Sequence, residues 1–281
     1  MHSVTHTYIY TFGGEETDTF DRSDIHVSRL ADSDSEIIDT YIPVTMAKIC
    51  SPLANAILEA GFCAYELPID LDKPRGVLAI GIADSLVLER GTQSVVHLYD
   101  SDGDRIADSK RTVASALYLN HGLALMDDYI YASSDTVVYR WAFSDDFDTI
   151  GDIETVVVNM NADGQGGAPQ GHTTRTLIFD EAGRLYVSVG SHDNVDSDSH
   201  RSRIRRFDFS GVSNVTFPID FQTGEVFADG LRNEVGLAFD SFGVLWGVEN
   251  SADNLFREDL GGDIHHDNPV STTSVENTKR L

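Results

Sequence analysis

GHTTRTLIFDEAGRLYVSVGSHDNVDSDSHRSRIRRFD, residues 171–208, holds the pattern on which the rest of the chain is built. Two apolar runs are joined by a tight turn, then comes a polar excursion, then a third run. Asp180 stands first and Gly183 fourth in the turn, as a type I turn prefers. Beyond it Leu185, Val187 and Val189 alternate with Tyr186 and Ser188, the period of two of a β-strand. His172 stands at the front edge beside Gly171, whose backbone is permissive.

The same layout recurs three more times. Residues 77–100 read VLAIGIADSLVLERGTQSVVHLYD, residues 122–141 read GLALMDDYIYASSDTVVYRW, and residues 236–260 read GLAFDSFGVLWGVENSADNLFREDL. Each is strand, tight turn, strand, loop, strand. Aligned at Asp84, Asp128, Gly183 and Gly243, the units step by 44, 55 and 60 residues. Such steps are the mark of propeller blades with loop insertions, whereas a sandwich would show strands without this longer period. The fold class expected is therefore all-β, a β-propeller with about four blades visible over 61–269. Residues 1–60 read as an irregular segment with one short helix over 46–60, and 270–281 as a tail without strand pattern. Because four units close no ring, the end blades are expected to expose Leu78, Ile80 and Leu86.

The 281 residues hold 46 acidic against 20 basic side chains, a net charge of −26. That balance disfavours nucleic acid and anionic lipid as partners, since phosphate contacts need clustered Lys and Arg. No apolar run is long enough for a transmembrane helix, and the first residues show no signal peptide. The sequon Asn214-Val215-Thr216 leans towards a secreted protein. Cys50 and Cys63 could close a loop worth about 3 kcal/mol if oxidised, or remain two thiols. The compartment stays open on these signs.

Four groups of residues could carry chemistry. His172 follows the glycine-rich loop DGQGGAPQG (163–171) and leads into an inner strand. Its imidazole titrates near neutrality and could take a proton from a hydroxyl, a hydrogen-bonded surface histidine being the alternative. Arg232 and Asn233 hold the corresponding place one blade later. A guanidinium and an amide there suit a planar ligand bearing several carboxylates. Asn250, Ser251, Ala252 and Asp253 end the second strand of the last unit, where backbone carbonyls could bind Ca²⁺. Asp100, Asp102, Asp104 and Asp108 alternate as in a calcium loop but lack the glycine and glutamate of an EF-hand, leaving an exposed acidic turn as the other reading.

Taken together, GHTTRTLIFDEAGRLYVSVGS, SRIRRFD, GLRNEVGLAFD, LWGVENSADNL and GGDIHHDNP resemble the glucose/sorbosone dehydrogenases. These are quinoproteins that use pyrroloquinoline quinone (PQQ). The resemblance runs from about Gly61 to Pro269. It implies a six-bladed propeller with PQQ and Ca²⁺ near the axis, and oxidation of the C1 hydroxyl of an aldose, or of a sugar aldehyde such as sorbosone. His172 would remove the C1 hydroxyl proton while hydride passes to the quinone. Arg232, Asn233 and Asn250 would contact PQQ, and Ser251 and Ala252 would hold the Ca²⁺, with Asp253 beside them. An external electron acceptor would reoxidise the cofactor. The family continues past GGDIHHDNP with about two more blades, so this activity is expected to be impaired in the present chain, which reads as C-terminally truncated. A non-catalytic propeller binding a glycan or protein, and a calcium-dependent lactonase using Glu249, are the alternatives.

Overall fold

In a computed structural model, which describes residues 8–11, 63–144, 146–160, 171–194, 196, 202–209, 215–250, 255–257, 262–264 and 278–280, the turn read at 180–183 forms as its residues require. The Gly183 N–H donates to the Asp180 carbonyl at 2.9 Å with Gly183 at φ +77°. The Asp180 carboxylate accepts the N–H groups of Ala182 and Arg184 and the Tyr186 hydroxyl. One blade later Asp240 does the same for Phe242, Val244 and the Trp246 indole. A short acceptor at the head of the turn thus fixes both the hairpin and the aromatic beside it.

The chain divides into two units, Met1–Asp70 and Leu71–Leu281. In the first, β1 (Tyr8–Thr11) pairs antiparallel with β2 (Cys63–Glu66). Residues 46–60 and Cys50 lie outside the described residues.

The second unit is a succession of antiparallel sheets. The first blade is β3 (Pro74–Ala79), β4 (Ser85–Glu89), β5 (Ser94–Tyr99) and β6 (Ser109–Ser115) in that order. The second is β7 (Leu123–Met126), β8 (Tyr129–Ser133), β9 (Val138–Ala142) and β10 (Glu154–Val158). The third begins β11 (Leu177–Phe179), β12 (Leu185–Val189), β13 (Arg203–Phe207). The chain then leaves it for β14 (Ile219–Asp220), which pairs in parallel with β10, and returns as β15 (Glu225–Asp229) beside β13. The fourth opens with β16 (Glu234–Phe239) and β17 (Leu245–Glu249). β18 (Leu255–Arg257) and β19 (Gly262–Ile264) form a separate hairpin. β20 (Thr278–Arg280) pairs antiparallel with β17. The tail read as strandless therefore supplies a strand, because ladder pairing uses the main chain and needs no apolar alternation.

The first strands β3, β7, β11 and β16 neighbour one another in turn, so each blade packs face to face on the next. This is the propeller arrangement. The apolar alternation is sorted accordingly. Leu86 and Leu88 pack on Ile130, Ala132 and Trp141 between blades one and two. Tyr131 and Val138 meet Leu185, Val187 and Val189 between blades two and three. Tyr186 and Ile204 meet Leu245 and Phe239 between blades three and four. Both faces of β12 are buried because both have neighbours, and each such apolar side chain contributes about 1.5–3 kcal/mol.

Serine hydroxyls tie the blades near their inner strands. Ser133 on β8 accepts the Gly122 N–H and donates to the Arg175 carbonyl of the next blade at 2.7 Å. Ser188 on β12 accepts the Thr176 N–H and donates to the Glu234 carbonyl. The approach is close: a Cβ on Gly122 would stand 2.1 Å from the Arg175 oxygen.

The expected exposure of the end blades holds in part. Leu86 is fully buried, and Leu78 and Ile80 pack against the blade-one to blade-two core, because they lie on the face turned towards the second blade. On β3 the exposed large apolar side chain is Val77. At the other end, Trp246 is 39% and Val248 47% exposed, whereas their counterparts Tyr186 and Ser188, covered by the fourth blade, are each 2% exposed.

Candidate active site

The residue before His172 decides how the chain enters the third blade. Gly171 has φ +104°, and a Cβ there would lie 1.7 Å from the His192 carbonyl. Only glycine lets the loop run this close to the excursion after β12. The His172 N–H then donates to the Ser191 carbonyl, and its Nδ1 lies 2.9 Å from that oxygen and 3.0 Å from Ser191 Oγ. The Ser191 hydroxyl donates to the Asp193 carbonyl at 2.7 Å. With that proton committed and a carbonyl able only to accept, Nδ1 must carry the hydrogen. The lone pair is therefore on Nε2.

Arg232 stands as far before Leu237 as His172 does before Leu177, so the blade repeat brings the two to equivalent places. Gly190 lies between them: a Cβ there would be 2.7 Å from the His172 Cβ and 2.9 Å from the Arg232 carbonyl. That carbonyl accepts the Ser191 N–H at 2.7 Å, and the Arg232 N–H donates to Glu249 Oε1 at 2.5 Å. The buried guanidinium donates through Nη1 to the Asn250 carbonyl at 3.0 Å and through Nη2 to Asn194 Oδ1. Asn233, also buried, accepts the Thr174 hydroxyl at 2.6 Å, and its carbonyl accepts the Asn250 N–H at 3.0 Å. His172, Arg232, Asn233 and the Asn250 main chain are thus joined through one hydrogen-bonded cluster. The Asn250 side chain is exposed. Glu249, the carboxylate a lactonase would need on its metal, is engaged with the Arg232 main chain.

Arg175 completes the surroundings. It is fully buried, and burial pulls its guanidinium pKa down to about 10, which leaves it cationic at neutral pH. Its Nη1 donates to the carbonyls of His172 and Thr174, and its Nε to that of Asp135.

Ser251, Ala252 and Asp253 lie outside the described residues. Asp100, Asp102 and Asp104 come together, with ligand atoms within 4.8 Å of one another. Asp108 is not among them and instead accepts the N–H and hydroxyl of Ser101. The Arg105 N–H first, then those of Gly103 and Asp102, hold the Asp100 carboxyl below its usual range. Sequence reading missed Ser191, Asn194 and Arg175. Ser191 and Asn194 stand in the oxygen-rich run SHDN after Gly190, and Arg175 is a charge at the mouth of an apolar strand.

A family model described as TrAA12-like matches residues 56–279. The chain belongs to that family. A pyrroloquinoline quinone-dependent sugar dehydrogenase of Hypocrea jecorina (strain QM6a) is 35% identical over 214 residues, 71% of this chain and 47% of that protein. The calcium structure of Trichoderma reesei carbohydrate-active enzymes family AA12 is 33% identical with a TM-score of 0.57, covering 70% of this chain and 50% of that one. The holo form of the pyranose dehydrogenase PQQ domain from Coprinopsis cinerea is 29% identical with a TM-score of 0.58, over 71% and 49%. The chain thus spans about half the length of these relatives. Among the described residues no helix is long and apolar enough to cross a membrane.

Proposed function

We propose that this TrAA12-like chain carries the proton-accepting and cofactor-contacting half of a PQQ-dependent sugar dehydrogenase, acting on the C1 hydroxyl of an aldose or on a sugar aldehyde. The observation that carries this reading is the cluster of His172 and Arg232, in which Ser191 fixes the imidazole with its lone pair on Nε2. The donor set suits the cofactor: a buried guanidinium and a carboxamide match a planar tricarboxylate, which Arg can grip through paired N–H groups. When bound, PQQ supplies a two-electron acceptor that takes up the hydride leaving C1.

The chain's own residues do the rest. His172 Nε2 receives the proton of the C1 hydroxyl, the general-base role that imidazole fills most often. The Nδ1–H bonds to Ser191 steady the imidazolium that results. Arg232 and Asn233 would hold the cofactor with Asn250 adding a contact, and Ser251, Ala252 and Asp253 would be the residues to hold Ca²⁺. An external electron acceptor would be needed to return the cofactor to its oxidised form.

The test is dye reduction by the purified chain with PQQ, Ca²⁺ and a panel of aldoses and sugar aldehydes. Sugar-dependent reduction that disappears on calcium chelation supports the reading. Turnover is expected to be impaired in a chain that spans about half the length of its relatives, so PQQ binding is titrated beside it. A chain that neither oxidises any sugar in the panel nor binds PQQ refutes the reading.

A further inference from the structure

We propose that Arg175 is a positioning residue for His172: its buried guanidinium clamps the main chain of the histidine loop and so sets the imidazole against Ser191. The proposal rests on the reading of His172 as the proton acceptor. Nη1 lies 3.0 Å from the His172 carbonyl and 2.9 Å from that of Thr174, while Nε lies 2.9 Å from the carbonyl of Asp135 in the turn between β8 and β9. The clamp therefore ties the loop to the second blade, and Ser191 ties the imidazole to the end of β12 in the third. Between these two holds the histidine has little freedom left.

Stability alone does not account for this arginine. It is 0% exposed, Nη2 has no hydrogen-bond partner, and the Asp135 charge that favours it is outweighed by burial. A cation buried in such a place carries a desolvation cost that only complete hydrogen bonding and a close counter-charge would offset, and here one nitrogen is left over. Nor does the blade repeat require it. The same position, one residue before Gly76, Gly122, Thr176 and Gly236, holds Arg75, His121, Arg175 and Val235. Arg75 is exposed, and His121 reaches to the Val235 carbonyl. Of the four, Arg175 is the one bonded to the carbonyl of the residue proposed as the base.

The experiment is ¹⁵N–¹H NMR of the histidine side chains in the ligand-free chain, for wild type, Arg175→Met and Arg175→Lys. The His172 signal is assigned by its disappearance in His172→Gln. The wild type is expected to show a single Nδ1–H tautomer at His172. Arg175→Met is expected to lose it for an exchange average while still melting cooperatively. Arg175→Lys, whose single ammonium cannot span the Asp135 and His172 carbonyls together, is expected to show a mixture. A single Nδ1–H tautomer retained in both variants overturns the proposal, and if the Met variant does not fold, the Lys variant decides by the same signal. Because no cofactor or sugar is present, failure of the dehydrogenase reading would leave this result standing.

Discussion

Replacing Ser133 by alanine tests how tightly the second and third blades are joined, and the structure gives the size of the effect. Ser133 Oγ is fully buried and serves two main-chain groups at once, the Gly122 N–H at 2.9 Å and the Arg175 carbonyl at 2.7 Å. Removing the hydroxyl leaves both without it. An unsatisfied buried polar group costs about 1–3 kcal/mol, so two should cost about 2–4 kcal/mol after some relaxation. Water cannot readily substitute, since the Arg175 oxygen already lies within 2.1 Å of where a Gly122 Cβ would be. For a unit of this size the loss corresponds to a melting point lower by roughly 5–15 °C. Urea unfolding followed by far-UV circular dichroism measures it, with the exposed Ser241→Ala as the control expected within about 0.5 kcal/mol of wild type. The denaturant slope should not change. A Ser133→Ala variant as stable as the control would refute the reasoning, because it would mean that the inner strands can separate enough to find other partners.

Gly171→Ala should displace the histidine loop, since the new Cβ meets the His192 carbonyl at 1.7 Å in a left-handed conformation; a shift of about 1 Å predicts about 10²-fold less sugar-dependent dye reduction. Burial, with Arg75 adding to it, holds the His121 pKa below its usual 6.5 against the opposing bond that the imidazole donates to the Val235 carbonyl. The unfolded chain therefore takes up this proton first, so stability present above pH 6.5 should decline as pH falls below it, and His121→Gln should flatten that decline in urea titrations. Asp180 is held below 3.8, burial opposing and the N–H and guanidinium of Arg184 and the Tyr186 hydroxyl prevailing. Its contribution is present above that pH and lost as pH falls through the lowered pKa, so Asp180→Asn should destabilise the protein at pH 6 and the difference from wild type should shrink as pH falls below 3.8.

The parts legible in the sequence were those fixed by near neighbours. Asp180 and Gly183 define their turn with no help from the rest of the chain, and the spacing of four such turns carried the propeller. His172, Arg232 and Asn233 were visible because they hold like places in successive repeats, and the structure brings them together. What stayed hidden depends on contacts between blades. Leu86 looked like an end-blade residue left bare, yet the face it occupies is the one turned to Trp141. Arg175 reads as a charge at a strand mouth until its bonds to Asp135 and His172 are seen. Asp108 shares the alternation of Asp100, Asp102 and Asp104, but Ser101 claims its carboxylate. Likewise β20 owes its place to main-chain pairing with β17, which leaves little trace in side-chain pattern.

The most direct test of the account is the turnover of His172→Gln at saturating PQQ and Ca²⁺, measured beside its PQQ affinity. Glutamine keeps a polar side chain of similar reach but cannot accept the proton. The account predicts PQQ affinity like that of the wild type and sugar-dependent dye reduction lower by about 10²–10⁴-fold, the usual worth of a general base. Arg232→Ala should show the opposite pattern, with PQQ affinity itself weakened. A His172→Gln variant that oxidises sugar at the wild-type rate would contradict the account.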